Sequence, residues 1–221
     1  MTYQFNFDPI FRDFDKMLWG LGLGLYLAAI GLLIGCVIGL LVAYGRQSRM
    51  TPLRWVLWIY VETIRNCPIL LLIFFVYFGL PEMGIYFLDK TESFILTLSI
   101  YAGAYLSEVF RSGLTSIPVR YVEAAKAIGL RPWQRQRYVV LPVMFRITLP
   151  ALSNNLISLF KDTSLAAAIA IPELTFMTRQ INANTFRVME SWLTASVLYL
   201  VTCYGIAWFL RRVERRYAVI R

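Results

Sequence analysis

Residues 17–45, MLWGLGLGLYLAAIGLLIGCVIGLLVAYG, contain no charged side chain. The stretch is longer than the ~20 residues an α-helix needs to cross the hydrocarbon of a bilayer. A buried core helix of a soluble domain rarely stays apolar for so long. Residues 191–210 form a second uncharged stretch of spanning length. Composition points the same way, with 58% hydrophobic and 16% charged residues, against roughly 45–50% and 25% in ordinary soluble domains. Ahead of the first stretch, Asp8, Asp13 and Asp15 offset Arg12 and Lys16. There is no net-positive start, and the stretch exceeds a signal peptide's apolar region of ~7–15 residues. It is therefore expected to be a retained spanning helix.

The net charge of +9 does not make this a nucleic-acid binder, because the basic residues flank apolar segments instead of covering a soluble face. Their distribution carries the topology. Residues 46–65, 111–146 and 211–221 hold 16 of the 22 Lys and Arg. Positive connections stay cytoplasmic, so these three are expected inside. The chain then starts outside, ends inside and crosses an odd number of times. Five crossings fit, at about 17–45, 55–80, 93–110, 138–160 and 191–210. Glu62 and Arg65 lie three apart on one helix face and read as a cytoplasmic approach to the apolar run 66–80. Arg146, Pro142 and Pro150 interrupt the fourth crossing, as helices facing a bundle interior or a cavity tolerate. The expected fold is an all-α integral membrane protein, a bundle of about five transmembrane helices with a short cytoplasmic helix. Residues 1–16 form an external or interfacial segment, 17–212 the membrane domain with a cytoplasmic loop at about 111–137, and 213–221 a basic cytoplasmic tail.

Gly31, Gly35 and Gly39 recur every four residues in the first helix, a spacing that lets helix backbones approach closely in lipid. Trp55, Trp58, Tyr60, Tyr86, Phe87 and Trp208 lie near segment ends, where an interfacial aromatic belt belongs. Cys36, Cys67 and Cys203 have no metal-binding or pairing pattern and read as small apolar filler. The chain has no histidine, the usual general base at neutral pH. It has no Gly-x-x-x-x-Gly-Lys-Ser/Thr loop to cradle a nucleotide phosphate. An enzyme acting within this chain is not expected, and no cofactor is assigned to it.

Between the third and fourth crossings lies a polar stretch. Glu123-Ala124-Ala125 is followed after three residues by Gly129, and after nine more by Val139-Val140-Leu141-Pro142. Arg120, Glu123, Lys126, Arg131, Arg135 and Arg137 keep it out of lipid. Residues 119–130 suit a short helix, with Pro118 near its start and Gly129 ending or bending it. Ala124 and Ala125 would let another surface approach the helix backbone, and Glu123 offers an acceptor. Charge pattern alone fits equally well an amphipathic helix lying on anionic membrane lipid.

The spacing from Glu123 to Pro142 resembles the Glu-Ala-Ala loop of importer-type ABC permeases, and over about 17–212 the chain resembles their polar amino acid subfamily. Three further stretches carry the resemblance. Glu62-Thr63-Ile64-Arg65-Asn66-Cys67-Pro68 through Tyr77-Phe78-Gly79 is similar to the family's second helix. Gly103-Ala104-Tyr105-Leu106-Ser107-Glu108-Val109-Phe110-Arg111 is similar to the end of its third. Leu149-Pro150-Ala151-Leu152-Ser153-Asn154 and Lys161-Asp162-Thr163-Ser164-Leu165 are similar to its fourth. Arg120-Tyr121-Val122 and Asn66-Cys67 depart from the family's Gly-Gln and Gly-Thr. The resemblance implies a permease subunit of a bacterial inner membrane importer. It would pair with a second, identical or homologous, permease. Two ATP-binding subunits carrying ATP and Mg would dock on Glu123, Ala124, Ala125, Gly129, Leu141 and Pro142. An external solute-binding protein would deliver a polar amino acid, with glutamate, aspartate and glutamine favoured by family breadth.

Lys161 and Asp162 follow a fourteen-residue uncharged run, 147–160. Charges at that depth are costly unless paired or facing water. A zwitterionic amino acid could meet them. Adjacent helix residues point about 100° apart at 3.6 residues per turn, so the two need not pair with each other. In the family this stretch lies at the substrate path. Asp162 is expected to take the substrate ammonium, with Thr163, Ser164 and Lys161 beside it and Glu108 and Asn154 as secondary candidates. A structural reading stands next to this one, in which Lys161 snorkels and Asp162 caps the following turn. A gradient-driven transporter or channel, and a membrane scaffold without transport, are the alternatives. Both leave the loop at 123–142 unexplained.

Overall fold

A computed structural model describes residues 3–86 and 88–217, and they contain helices and no strand. Phe87 and Arg221 lie outside the described residues. The elements are α1 (Asp8–Arg12), α2 (Phe14–Gly45), α3 (Thr51–Asn66), α4 (Ile69–Phe74), α5 (Leu80–Glu82), α6 (Lys90–Thr115), α7 (Val119–Ala127), α8 (Pro132–Arg135), α9 (Leu141–Asp162), α10 (Leu174–Thr185) and α11 (Val188–Tyr217). One π-helical turn, Phe75–Gly79, joins α4 to α5, and another, Gln136–Val140, joins α8 to α9. A 3-10 segment, Thr163–Ile169, continues α9. Four stretches are long and apolar enough to cross a membrane: Phe14–Gly45, Lys90–Thr115, Pro132–Ile169 and Val188–Arg216.

The second expected crossing is not one straight helix. Thr51–Asn66 and Ile69–Glu82 pass the same test only as a pair bent by 109°. The cause is local. Pro68 has no N–H to donate, and its ring drives the residue before it out of the helical region. Cys67 accordingly sits at φ −99°, ψ 133°.

The seam between α2 and α6 follows from the glycine spacing. A Cβ added to Gly31, Gly35 or Gly39 would stand 2.7, 2.6 or 2.8 Å from Leu98, Ala102 or Leu106 respectively. From the other side, Ile38 packs where a Gly103 side chain would be. Asp89 and Glu92 close a reciprocal cap on the first turn of α6, with the Glu92 N–H donating to Asp89 (2.7 Å) and the Asp89 N–H to Glu92 (3.0 Å). Such a cap satisfies two otherwise orphaned donors. At the other end of the seam, Arg46 and Arg111 share the Glu108 carboxylate.

α9 joins this pair at two close approaches. Thr148 and Met144 fill the space beside Gly113 on α6, and Thr163 lies against Gly24 on α2. Phe94, Leu98, Phe110, Met144 and Leu159 form the core between them. α10 packs across the start of α2, where Gly20 meets the Glu173 backbone. α11 leaves Leu193, Val197, Leu200, Val201, Tyr204 and Phe209 exposed.

Candidate functional site

The polar loop folds as a short helix and a turn. α7 begins after Pro118 and ends at Gly129, whose φ of +78° is a conformation that favours glycine. The Leu130 N–H reaches back to the Ala125 carbonyl (3.1 Å) and the Gly129 N–H to that of Lys126 (2.9 Å). That closure satisfies carbonyls a helix end leaves open. Nothing lies within 4 Å of where a Gly129 Cβ would be, so backbone conformation selects glycine here, not space. Glu123 and Ala124 are exposed, whereas Ala125 is 3% exposed. Of the expected pair of small residues, only Ala124 stands on the open face, and Ala125 instead lets α7 pack on its own chain. Val119, Ile128, Trp133 and Tyr138 are also exposed.

From this loop a continuous helical path enters the membrane, because α8, the π turn, α9 and the 3-10 segment form one stretch of 38 residues, Pro132–Ile169. Leu141 is half-buried against the core and Pro142 is exposed in the first turn of α9. Steps of four residues along α9 then give Pro142, Arg146, Pro150, Asn154 and Ser158, and all five are exposed, as is Lys161. Residues four apart form one ridge of a helix. A ridge carrying Arg146, Asn154, Ser158 and Lys161 is unsuited to lipid and requires water or protein against it.

Near the end of that ridge the expected substrate residues part company. Lys161 is exposed and Asp162 half-buried. No ion pair joins them among the described residues, as their angular separation implies. Asp162 makes no side-chain capping bond to the next turn, so the structural reading of this residue loses its contact. Thr163 is fully buried, its hydroxyl donating to the Phe160 carbonyl (2.7 Å) under Gly24; it packs helices together and is not presented to a path. Ser164 is half-buried and Asn154 exposed. Glu108 stands apart, engaged by Arg46 and Arg111 at the end of the α2–α6 seam.

Sequence reasoning did not single out a tyrosine pair on α6. The Tyr101 and Tyr105 rings are 4.8 Å apart. The Arg65 guanidinium sits 5.4 Å over the Tyr105 ring, and the Tyr105 hydroxyl donates to the Arg65 carbonyl (3.3 Å). Asn66, the last residue before the break, donates to Glu62. The bend in the second crossing and the tyrosines therefore meet. Aromatic faces and a guanidinium there can complement an ammonium and a carboxylate. The signal lay in Tyr-x-x-x-Tyr, four apart on a helix otherwise rich in small residues, and in a charge three residues before a helix-breaking proline.

Glu173 was also missed. It is fully buried and caps α10, accepting from the Thr175 (2.9 Å) and Phe176 (2.8 Å) N–H groups and the Tyr199 hydroxyl (2.9 Å). Burial pushes its carboxyl pKa up, against the pull of these three donors in the other direction. At the same end, buried Glu190 accepts from Tyr3 and from the Asn6 N–H (2.9 Å) and lies 3.6 Å from Arg187. The Tyr3 hydroxyl pKa is raised, chiefly by its hydrogen bond to Glu190.

Comparison with known proteins gives a consistent result. Residues 35–219 match the family described as binding-protein-dependent transport system inner membrane component. A probable amino-acid ABC transporter permease protein, YckA of Bacillus subtilis, is 35% identical, with 98% of this chain and 95% of that protein covered. The glutamine transport system permease protein GlnP of Escherichia coli is also 35% identical, over 98% of this chain and all of that one. The L-cystine transport system permease protein TcyB of Bacillus subtilis is 34% identical over 86% and 81% of the two chains. Among solved structures, an amino acid ABC transporter with histidines superposes with a TM-score of 0.88 at 27% identity, over 97% of this chain and all of that chain. The MetNI methionine ABC transporter shares the fold, with a TM-score of 0.76 at 20% identity over 96% and 99% of the two chains.

Proposed function

The chain belongs to the binding-protein-dependent transport system inner membrane component family, and on that premise we propose that it is the permease subunit of an ATP-driven importer of polar amino acids. The observation that carries this is the polar ridge of α9, which runs from Pro142 to Ser158 and Lys161 beside Asp162 and is exposed along its length among the described residues. A second permease subunit facing that ridge would enclose an aqueous path between the two. In this reading Asp162 takes the substrate ammonium, Lys161 and Ser164 flank it, and Arg65, Tyr101 and Tyr105 line the same region. Relatives named for glutamine and cystine support a polar amino acid, and glutamine, glutamate and aspartate are the favoured class.

The α7 surface, with Glu123 and Ala124 open and Gly129 ending the helix, serves as the dock for separate ATPase subunits. ATP and Mg belong to those subunits. Nucleotide acts by favouring one of two permease conformations over the other. α9 is the rigid link, since 22 residues of helix span roughly 33 Å at about 1.5 Å per residue. The start of the chain lies outside and its basic tail inside the bacterial inner membrane, following the clustered Lys and Arg. An external binding protein delivers the substrate.

The test is gentle-detergent purification from native membranes, followed by mass spectrometry and reconstituted uptake. Recovery of an ATPase near one per permease, with uptake that needs ATP, supports the proposal. A chain recovered intact with no ATPase even after cross-linking through position 123, and uptake that follows an ion gradient, would establish the gradient-driven alternative instead.

A further inference from the structure

Where α2 gives way to α3 at one end of the membrane domain, Arg46, Arg54, Trp55 and Trp58 line an open recess of about 350 Å³, within the size range of small-molecule sites. None of these residues belongs to the dock or to the path described above. Arg46 follows the last residue of the 32-residue α2, which places the recess at the level where a spanning helix leaves hydrocarbon. Trp55 and Trp58 are exposed and meet edge to face, with centroids 5.5 Å apart. Among the residues of α3 only Val61 is buried, so the helix offers its surroundings an apolar face ending in this recess.

The charge here is not balanced by the protein. Glu108 is one carboxylate shared between two guanidiniums, Arg46 and Arg111. Arg54 is exposed and forms no ion pair among the described residues. The recess therefore holds a surplus of positive charge beside two indoles. Indoles settle at the headgroup level of a bilayer, and guanidiniums bind phosphate oxygens in a fork that suits their geometry.

We propose that this recess is a binding site for the phosphate of an anionic phospholipid, with Arg54 and the free edge of Arg46 on the phosphodiester and Trp55 and Trp58 against the glycerol and upper acyl region. The phosphodiester's negative charge offsets part of the positive surplus that Arg46, Arg54 and Arg111 leave beside the one Glu108 carboxylate. Free phosphate shares that chemistry but makes no use of the indoles or of the apolar face of α3.

The test uses the intact permease complex, delipidated in mild detergent and titrated with phosphatidylglycerol or phosphatidylethanolamine under native mass spectrometry. Wild type is expected to bind phosphatidylglycerol in preference. Arg54→Gln is expected to weaken that binding about fivefold, the factor for losing one basic residue at an anionic surface at about 1 kcal/mol, and to weaken phosphatidylethanolamine, whose ammonium already offsets its phosphodiester, by less. Arg54→Lys should keep most of the preference and Trp58→Leu should reduce it. Both sites are exposed, so the variants are expected to fold, and ATPase co-purification checks this. Equal binding of the two lipids, or no loss in Arg54→Gln, overturns the proposal. Displacement of phosphatidylglycerol by millimolar inorganic phosphate also overturns it in favour of a soluble anion. A cross-link from position 58 to an ATPase subunit, with lipid excluded, would assign the recess to a protein contact and equally overturn it.

Discussion

Replacing Gly35 by alanine tests the seam between α2 and α6. The added Cβ would stand 2.6 Å from the Ala102 Cβ, 3.2 Å from the Gly103 nitrogen and 3.3 Å from the Ala102 carbonyl carbon. Carbon atoms prefer about 3.5–4.0 Å, and none of these three atoms belongs to a side chain that can rotate away. The α2 and α6 backbones must therefore separate by about 1 Å, a gap that forfeits a quarter to a half of each dispersion contact across the seam. Overpacking of this kind costs roughly 1–3 kcal/mol, against a gain of about 0.5–1 kcal/mol for removing a glycine from a helix interior. Gly22 and Gly205 provide the internal reference, since nothing lies within 4 Å of an added Cβ at either, and alanine there should be neutral or slightly stabilising. The glycine gain is common to both variants, so Gly35→Ala is expected to fall roughly 1–3 kcal/mol below Gly22→Ala in denaturing-detergent unfolding of the purified protein. It should also impair uptake, because Ala102 neighbours Tyr101. Equal stability of Gly35→Ala and Gly22→Ala would show that α2 and α6 do not meet as described.

Three further outcomes are expected. Glu123→Lys should release or uncouple the ATPase while the chain still inserts and folds, because Glu123 is exposed outside the spanning helices; ATPase recovery and ATP-driven uptake report it, and wild-type coupling refutes it. Asp162→Asn should weaken uptake without loss of the ATPase, since the carboxylate makes no capping bond; a complex that falls apart assigns the residue to the fold instead. Glu173 gives a pH dependence. Its folded-state pKa lies above the ordinary 4.5, so in the window above that value the folded state binds more protons than the unfolded. Its contribution is complete below the unfolded pKa and is lost as pH rises through the folded one. Glu173→Gln should flatten this slope in pH-dependent unfolding and, by giving up one cap acceptor, lower stability by roughly 1–2 kcal/mol. An unchanged slope would refute the assignment.

The sequence made α2 and α11 legible because an uncharged stretch of that length has few other homes. It also revealed the α2 face of the seam, where glycines every four residues leave little else to do. The bend at Pro68 was visible only as a proline, since its 109° angle depends on what α4 packs against. At 123–125 the pattern named the surface but not its orientation, and one residue of rotation separates exposed Ala124 from buried Ala125. At 161–164 four polar residues were grouped as one path. A 3-10 turn and the notch at Gly24 divide them, exposing Lys161 and burying Thr163. Glu173 gave no local signal. Its donors include Tyr199, a neighbour that only the fold supplies.

These contacts bear on where an importer of this kind would move. α2 meets α6 along Gly31, Gly35 and Gly39. α9 meets α6 at Gly113 and α2 at Gly24. Three close approaches of this kind resist sliding, because a packed seam shifts between discrete arrangements and does not deform continuously. α9 also carries both the loop at Glu123 and the residues near Asp162. A pull on α7 therefore has no soft joint inside the α2–α6–α9 body at which to be absorbed. Surfaces without a seam include the polar ridge of α9 and the exposed face of α11. Motion driven from the dock is expected to appear there, as rotation of one whole subunit against its neighbour. A disulfide engineered within the α2–α6 seam should leave uptake intact, whereas one joining the α9 ridges of the two subunits should stop it; arrest by the first cross-link would place the moving joint inside the subunit.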